Sequence, residues 1–245
     1  MIYNEMSKYY DKLTYDVDYR EIIKFYKSIF EKLGKSPRNL LELGCGTGNV
    51  TSLLSGYNIY AIDLSEEMLG IARGKLSNKR NVHFFNMDMR NFKFEKKFDV
   101  AISALDSVNY IVEKDDLEKV FTNVYEHLLP GALFIFDINS YYKISSVLGN
   151  NTFTDEVDDT LYIWHSNYNE NTKICDYLMT FFIEREGGFY ERFSETHRER
   201  AYTIEELKSL LLKVGFFDVN VYDGFSLEKP RDDSERLSFV AIKGE

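Results

Sequence analysis

Between Leu40 and Asn49 the chain reads Leu-Leu-Glu-Leu-Gly-Cys-Gly-Thr-Gly-Asn. Glycine at 44, 46 and 48 removes a side chain at every second position and permits the tight turn by which bare backbone approaches a nucleotide-like ligand. The spacing is Gly-x-Gly-x-Gly. It differs from the Gly-x-Gly-x-x-Gly of dinucleotide-binding proteins, whose third glycine serves close helix–strand packing. Two acids stand at corresponding places downstream. Asp63 ends the apolar run Ile59-Tyr60-Ala61-Ile62, and Asp88 follows Val82-His83-Phe84-Phe85-Asn86-Met87. An acid at the carboxyl end of the strand beside such a loop is placed to accept hydrogen bonds from both hydroxyls of a ribose. Each aspartate alone fits a helix or turn cap equally well. A glycine loop followed by two acids, all at strand ends, fits a ligand site better.

These residues need an α/β frame. Helical spacing of Ile22, Ile23, Phe25, Tyr26, Ile29, Phe30 and Leu33 predicts a helix over 18–33, after a shorter one over 4–13, with Gly34 and Pro37 as stops. These helices precede the first strand and are expected to lie across the ligand site as a lid. Strands are predicted at 38–43, 57–62, 81–87, 98–103, 132–138, 217–221 and 237–242. Helices are predicted at 48–55, 65–77, 115–127 and 204–214, the last with Thr203 as N-cap and Gly215 as stop. Residues 150–200 abandon the alternation. Leu161–Tyr168, Lys173–Glu184 and Phe189–Arg200 read as three strands of an antiparallel meander. On the second, Cys175, Tyr177, Met179, Phe181 and Ile183 share a face by the period of two. That face needs a partner, either the main domain or a second subunit, so a homodimer through the inserted sheet is one expectation. The division that follows is a helical lid at 1–36, a ligand-binding α/β domain at 37–140 and 201–245, and an inserted antiparallel β subdomain at 141–200.

Bulk properties narrow the partners. The 245 residues carry a net charge of −10, which argues against nucleic acid, because neutralising phosphates needs clustered Lys and Arg. A small-molecule acceptor is expected instead. No apolar run is long enough to cross a membrane. The first residues lack the basic start and apolar block of a secretory signal. Two cysteines, Cys45 and Cys175, make neither a disulfide framework nor a metal site, so no metal and a cytoplasmic location are expected.

The motifs resemble those of class I S-adenosylmethionine-dependent methyltransferases over most of residues 1–140 and again over 203–243. Leu41 to Gly48 is similar to that family's first motif. Asp63-Leu64-Ser65-Glu66-Glu67-Met68-Leu69 is similar to the second, in which the acid holds the ribose. Asp88-Met89 matches the adenine-reading pair, Phe98 to Ile102 the fourth strand, and Leu128 to Leu133 the turn into the fifth. The resemblance implies a Rossmann-like seven-stranded sheet, S-adenosyl-L-methionine as cofactor, and methyl transfer to N or O of a small acceptor by in-line displacement. Two other readings of the loop are a nicotinamide-dependent oxidoreductase and a cofactor-binding scaffold without turnover. The cofactor's demands assign its site. Adenine takes Asp88, Met89, Leu64 and Leu105. Ribose takes Asp63, with Met68 nearby in the second motif. The amino-acid end takes the backbone of Gly44, Cys45 and Gly46 and the strand end at Ala104, with Glu42 orienting the loop from beneath.

Methyl transfer from a sulfonium asks the protein for position, dryness and an unprotonated nucleophile, with a base only where the acceptor arrives protonated. Tyr10-Asp11 with a later Tyr19 is similar to the pattern of amino-sugar N,N-dimethyltransferases. That likeness implies that Tyr10 and Tyr19 touch the cofactor, that Tyr15 lines the acceptor site, and that Asn109 and Tyr110 of Ser107-Val108-Asn109-Tyr110 lie beside the acceptor. Packing in a lid accounts for any single tyrosine equally well. In the insert, Glu195-Thr196-His197-Arg198-Glu199-Arg200 is the polar outlier. Alternation puts Glu195, His197 and Glu199 on one face and Arg198 and Arg200 on the other. His197 is a candidate base, and Arg198 and Arg200 are candidate holders of an anionic acceptor group. A surface strand with paired charges explains the same letters. Asp106, just past the fourth strand, either faces the acceptor or caps a turn, and His165 is a weaker candidate. The catalytic candidates are therefore Tyr10, Tyr110 and His197.

Overall fold

A computed structural model describes residues 5–244. Seven strands, β1 (Asn39–Leu43), β2 (Asn58–Asp63), β3 (Val82–Asn86), β4 (Phe98–Ser103), β5 (Leu128–Asn139), β10 (Phe216–Asp223) and β11 (Arg236–Lys243), form one sheet in the order β10-β11-β5-β4-β1-β2-β3. The pairings among β1 to β5 are parallel, while β11 runs antiparallel to both β5 and β10. The chain order reverses beside β1 and β4, and that switch point opens a crevice at the strand carboxyl ends.

Strand alternation sorts the core into two layers. Leu41, Ala101, Phe134 and Phe136 face α5 (Lys114–His127) and α6 (Ile204–Val214). Leu40, Ile59, Val100, Ile102 and Ile135 face α2 (Tyr19–Lys32) and α3 (Asn49–Leu53). Both faces of a parallel sheet must be covered, which is why these strands are apolar on both sides. The helix α2 is thus a covering layer, its Ile22, Phe25, Tyr26 and Ile29 sealed against the sheet. The parts of the N-terminal region that reach the crevice are Tyr19, the first residue of α2, and the stretch ahead of it. That stretch forms a one-turn 3-10 helix, Met6–Lys8, and α1 (Tyr10–Leu13), where one continuous helix over 4–13 is predicted; residue 4 lies outside the described residues. After β2, α4 (Glu66–Lys75) is capped by Ser65, whose hydroxyl accepts the Met68 amide.

The insert is a four-stranded antiparallel sheet in the order β6-β7-β8-β9, comprising β6 (Thr152–Val157), β7 (Thr160–Asn169), β8 (Ile174–Arg185) and β9 (Phe189–Arg200). The alternation reading misses β6. It is an edge strand, mostly exposed and carrying Asp155 and Glu156, the composition that protects an edge from unwanted pairing. The expected face of β8 is the buried one: Cys175, Tyr177, Phe181 and Ile183 are inside. Its cover comes from this chain. Ile144, Leu148 and Ala201 pack at one end, and Met6, Tyr9, Tyr10 and Leu13 at the other.

Candidate functional site

A cavity of about 480 Å³ occupies the crevice, within the range that holds one small ligand. Its floor is the glycine loop. Gly44, Gly46 and Gly48 have φ of +66°, +53° and +79°, values that side-chain-bearing residues rarely adopt. A Cβ at Gly44 would stand 2.7 Å from Ser107 Oγ, so glycine is required for space as well as conformation. Asp63 ties this loop to the next element: Oδ2 accepts the Gly46 amide at 2.8 Å and Oδ1 the Ser65 amide at 2.9 Å. Burial raises its pKa, against the pull of those backbone bonds. The Leu64 amide also bonds to this carboxylate, and its remaining acceptor capacity is available to a ligand hydroxyl. Beneath the loop, Glu42 is fully buried and accepts from Thr51 Oγ1 at 2.7 Å. Desolvation, with repulsion from Asp63, pushes its pKa up to about 8.

The opposite wall carries Leu64, Met87, Asp88 and Met89, with Leu64 as an exposed apolar edge. Asp88 accepts both the backbone amide and the guanidinium of Arg90, which holds its pKa down. Its turn-closing role is therefore real, alongside its place in the wall. Arg90 bridges on to Asp116. Met68, Cys45, Ala104 and Leu105 complete the surface, so every residue assigned to the cofactor from the sequence lies on the cavity wall.

Tyr10 and Tyr19 close the cavity from the N-terminal side. The Tyr10 hydroxyl sits deep enough that desolvation raises its pKa far above the usual phenol value. Asp11 fastens this stretch to the loop, a role the sequence reading misses. It accepts from Thr47 Oγ1 at 2.6 Å and Asn49 Nδ2 at 3.0 Å, and pairs with Lys75 at 2.5 Å. Asn49 also donates to the Tyr19 hydroxyl at 2.9 Å. Tyr15, assigned to the acceptor, stands 64% exposed and off the cavity wall.

At the end of β4 the chain enters consecutive left-handed residues, Leu105 and Asp106, with φ of +55° and +56°. Asp137, buried in β5, accepts both of their amides, at 2.8 and 3.2 Å. Arg236 of β11 pairs with Asp137 and, at 2.9 Å, with Asp106. The Asp106 carboxylate is thus taken by Arg236 and lies outside the cavity wall, contrary to the acceptor-binding expectation. Asn109 is corrected in the same way. It is fully buried, donates to the carbonyls of Asn139 and Arg200, and accepts the Asn139 amide, which leaves its side chain joining three segments rather than facing a ligand. An aspartate inside the apolar run Leu133–Ile138 is the sequence signal that points to Asp137. Arg236 has no local signal.

Tyr110 lies on the cavity wall at the end of a one-turn 3-10 helix, Ser107–Tyr110. Its hydroxyl stands 3.3 Å from His197 Nδ1. His197 and Glu199 are buried, so this face of β9 is interior and not a solvated strand surface. Glu199 accepts from Asn139 at 3.1 Å, and burial lifts its pKa to about 8. Arg198 points the other way, exposed and paired with Asp176 at 2.6 Å. Arg200 donates to the carbonyls of Val112 and Thr172. Neither arginine reaches the cavity wall, because the alternation that buries His197 sends both to the outer face. His165 is also on the outer face, bonded to Thr152 at 2.9 Å.

Comparison with known proteins agrees with this geometry. The family profile described as methyltransferase domain matches residues 40–131. The crystal structure of an S-adenosylmethionine-dependent methyltransferase from Clostridium acetobutylicum ATCC 824 is 37% identical, with a TM-score of 0.89 over 99% of each chain. YqeM of Bacillus subtilis (strain 168) is 35% identical over 99% of this chain and 98% of its own. CalS10, an amino pentose methyltransferase from Micromonospora echinaspora, has a TM-score of 0.75 over 92% of this chain and 91% of its own, at 19% identity, a likeness of fold. The chain belongs to the S-adenosylmethionine-dependent methyltransferases, and is an enzyme that uses S-adenosylmethionine. This displaces the nicotinamide reading and the scaffold reading.

Proposed function

We propose that this methyltransferase acts on a small acceptor, on nitrogen in preference to oxygen, at the Tyr10–Tyr110 end of the cavity. The observation that carries the reading is enclosure. The N-terminal stretch packs on the inserted sheet, with Tyr9 stacked on Phe193 at 5.7 Å and Met6, Tyr10 and Leu13 against Phe181 and Ile183. Together they wall the cavity on the Tyr10 side, which suits a small acceptor. The acidic net charge supports the same reading.

The residues present fit the cofactor. Gly44 leaves backbone bare where a Cβ would fill the cradle. Asp63 retains acceptor capacity for the ribose hydroxyls, and Leu64 and Met89 supply an apolar slot. Ala104, Glu42 and the loop amides suit the amino-acid end, and Tyr10 and Tyr19 close over it. When bound, S-adenosylmethionine supplies an electrophilic methyl group on a sulfonium. The protein's share is to place the acceptor in line, exclude water and take up a proton. Nitrogen is favoured because a neutral amine presents its lone pair to the methyl group directly, whereas an aliphatic hydroxyl attacks well only as its proton is removed. CalS10, described as an amino pentose methyltransferase, supports this choice.

The test is transfer of label from methyl-tritiated S-adenosylmethionine to panels of small amines and small hydroxyl compounds, with RNA and unfolded protein as controls. Labelled amine is the expected product. Label confined to RNA or protein overturns the small-acceptor reading, and label on hydroxyls alone overturns the choice of nitrogen.

A further inference from the structure

We infer that Tyr110, His197 and Glu195 form a proton-accepting chain whose last member, Glu195, is a positioning residue held by the docked N-terminal stretch. The inference rests on the methyltransferase reading above and adds to it the route and the switch. Four groups lie in series from the cavity wall. The Tyr110 hydroxyl is 3.3 Å from His197 Nδ1, with the two rings edge to face at 6.0 Å. His197 Nε2 is 3.5 Å from Glu195 Oε2. Glu195 Oε1 accepts the backbone amide of Met6 at 2.8 Å. The side chains of His197 and Glu195 are 2% and 9% exposed. A Tyr110 hydroxyl donating to Nδ1 makes that nitrogen the acceptor and leaves the ring proton on Nε2, a form that the Glu195 carboxylate favours by its charge from 3.5 Å, beyond hydrogen-bond contact. The carboxylate also stabilises the imidazolium once formed, without itself taking the proton.

Other ionisable groups on this face are Tyr177, directly across from His197 on β8, Glu199, two residues along β9, Cys175 across from Glu199, Tyr162 and Tyr168 of β7, and Tyr10 of the docked stretch. Glu199 is bonded to Asn139. Glu195 lies 3.5 Å from His197 Nε2.

The proton count closes. An acceptor ammonium gives one N–H proton to the Tyr110 oxygen as the Tyr110 proton passes to His197 Nδ1, which leaves an imidazolium beside Glu195. The freed nitrogen lone pair forms the bond to the methyl carbon, and the electrons of the broken carbon–sulfur bond stay on sulfur. His197 returns its proton to water between turnovers. Because the Met6 amide holds Glu195, the chain is aligned when the stretch that closes the cavity is docked, and is released when it lifts.

The experiment is nitrogen-15 NMR of the imidazoles in the intact protein at mildly alkaline pH. With four histidines in the sequence, His197→Gln assigns the signal. The expected wild-type form carries its proton on Nε2. Tyr110→Phe keeps that form, whereas Glu195→Gln moves the proton to Nδ1, because the amide NH2 then donates to Nε2. A wild-type Nδ1–H form, or a Glu195→Gln spectrum like the wild type, overturns the inference. Hydrogen exchange at the Met6 amide is expected to speed at least tenfold in Glu195→Ala, and unchanged exchange removes the switch. Calorimetry with S-adenosylhomocysteine separates the two claims. Affinity within twofold of wild type in Glu195→Gln is expected. No binding by the wild type overturns the methyltransferase reading on its own, whatever the tautomer.

Discussion

Replacing Gly44 by alanine probes the glycine loop directly, and a second substitution divides the effect into its causes. The backbone at 44 has φ of +66°, and an added Cβ meets Ser107 Oγ at 2.7 Å and Ser107 Cβ at 2.9 Å. The left-handed conformation costs an alanine about 1–2 kcal/mol. Forcing a methyl group into a filled space adds about 1–3 kcal/mol. Gly44→Ala should therefore destabilise the fold by about 2–5 kcal/mol, read as a shift of the urea midpoint at constant slope. Ser107→Gly removes both clashing atoms. It also loses the bond from Ser107 Oγ to the Ala104 carbonyl at 3.0 Å, so the single variant is measured as well. In the double variant the conformational cost remains and the clash is gone, which predicts a favourable coupling of about 1–3 kcal/mol. A coupling below about 0.5 kcal/mol, the usual limit of additivity, would show that Ser107 does not crowd the loop and would refute the reasoning.

Asp63→Ala should weaken S-adenosylhomocysteine binding by about 2–3 kcal/mol, the scale of charge-assisted hydrogen bonds, and unaltered calorimetric affinity would remove Asp63 from the site. The raised pKa of Glu42, about 8, means that its contribution to stability is full below the unfolded value near about 4.3 and is lost as pH rises through about 8. Glu42→Gln should therefore flatten the fall in urea stability across that window by on the order of 5 kcal/mol; equal slopes in both proteins would contradict the assignment. Asp11→Ala should speed release of S-adenosylhomocysteine about fivefold, equivalent to about 1 kcal/mol for a half-exposed pair, as followed by stopped flow, and an unchanged rate would show that the N-terminal stretch does not gate the site. Arg198→Ala should leave methyl transfer unaffected, since its guanidinium is spent on Asp176 across the outer face; a large loss of rate would place the acceptor elsewhere.

The cofactor side was legible because its chemistry is local. A glycine loop and the acids that follow sit within short stretches whose strand–helix context is readable from apolar spacing, and the cavity wall gathers those residues. The acceptor side depends on partners distant in sequence. Asp106 is captured by Arg236 and Asn109 by Asn139 and the Arg200 carbonyl, pairings that no local pattern announces. For Arg198 and Arg200 the period of two correctly gave the face; what it could not give was which face of the sheet would be covered. The edge strand β6 escaped notice because exposed edges carry polar letters, and the helix α2, placed ahead of the first strand, turned out to be a layer of the core.

The bond between Met6 and Glu195 spans 189 residues of chain. Met6, Tyr9, Tyr10 and Leu13 are made well before Phe181, Ile183 and Phe193, on which they rest, so they stay uncovered until those strands follow. Contacts of such long separation form late, after the entropy of closing the intervening loop has been overcome. Refolding should accordingly end with a slow phase in which the main sheet is already assembled and the cradle is still open, leaving the protein able to aggregate through this uncovered apolar stretch before it can turn over.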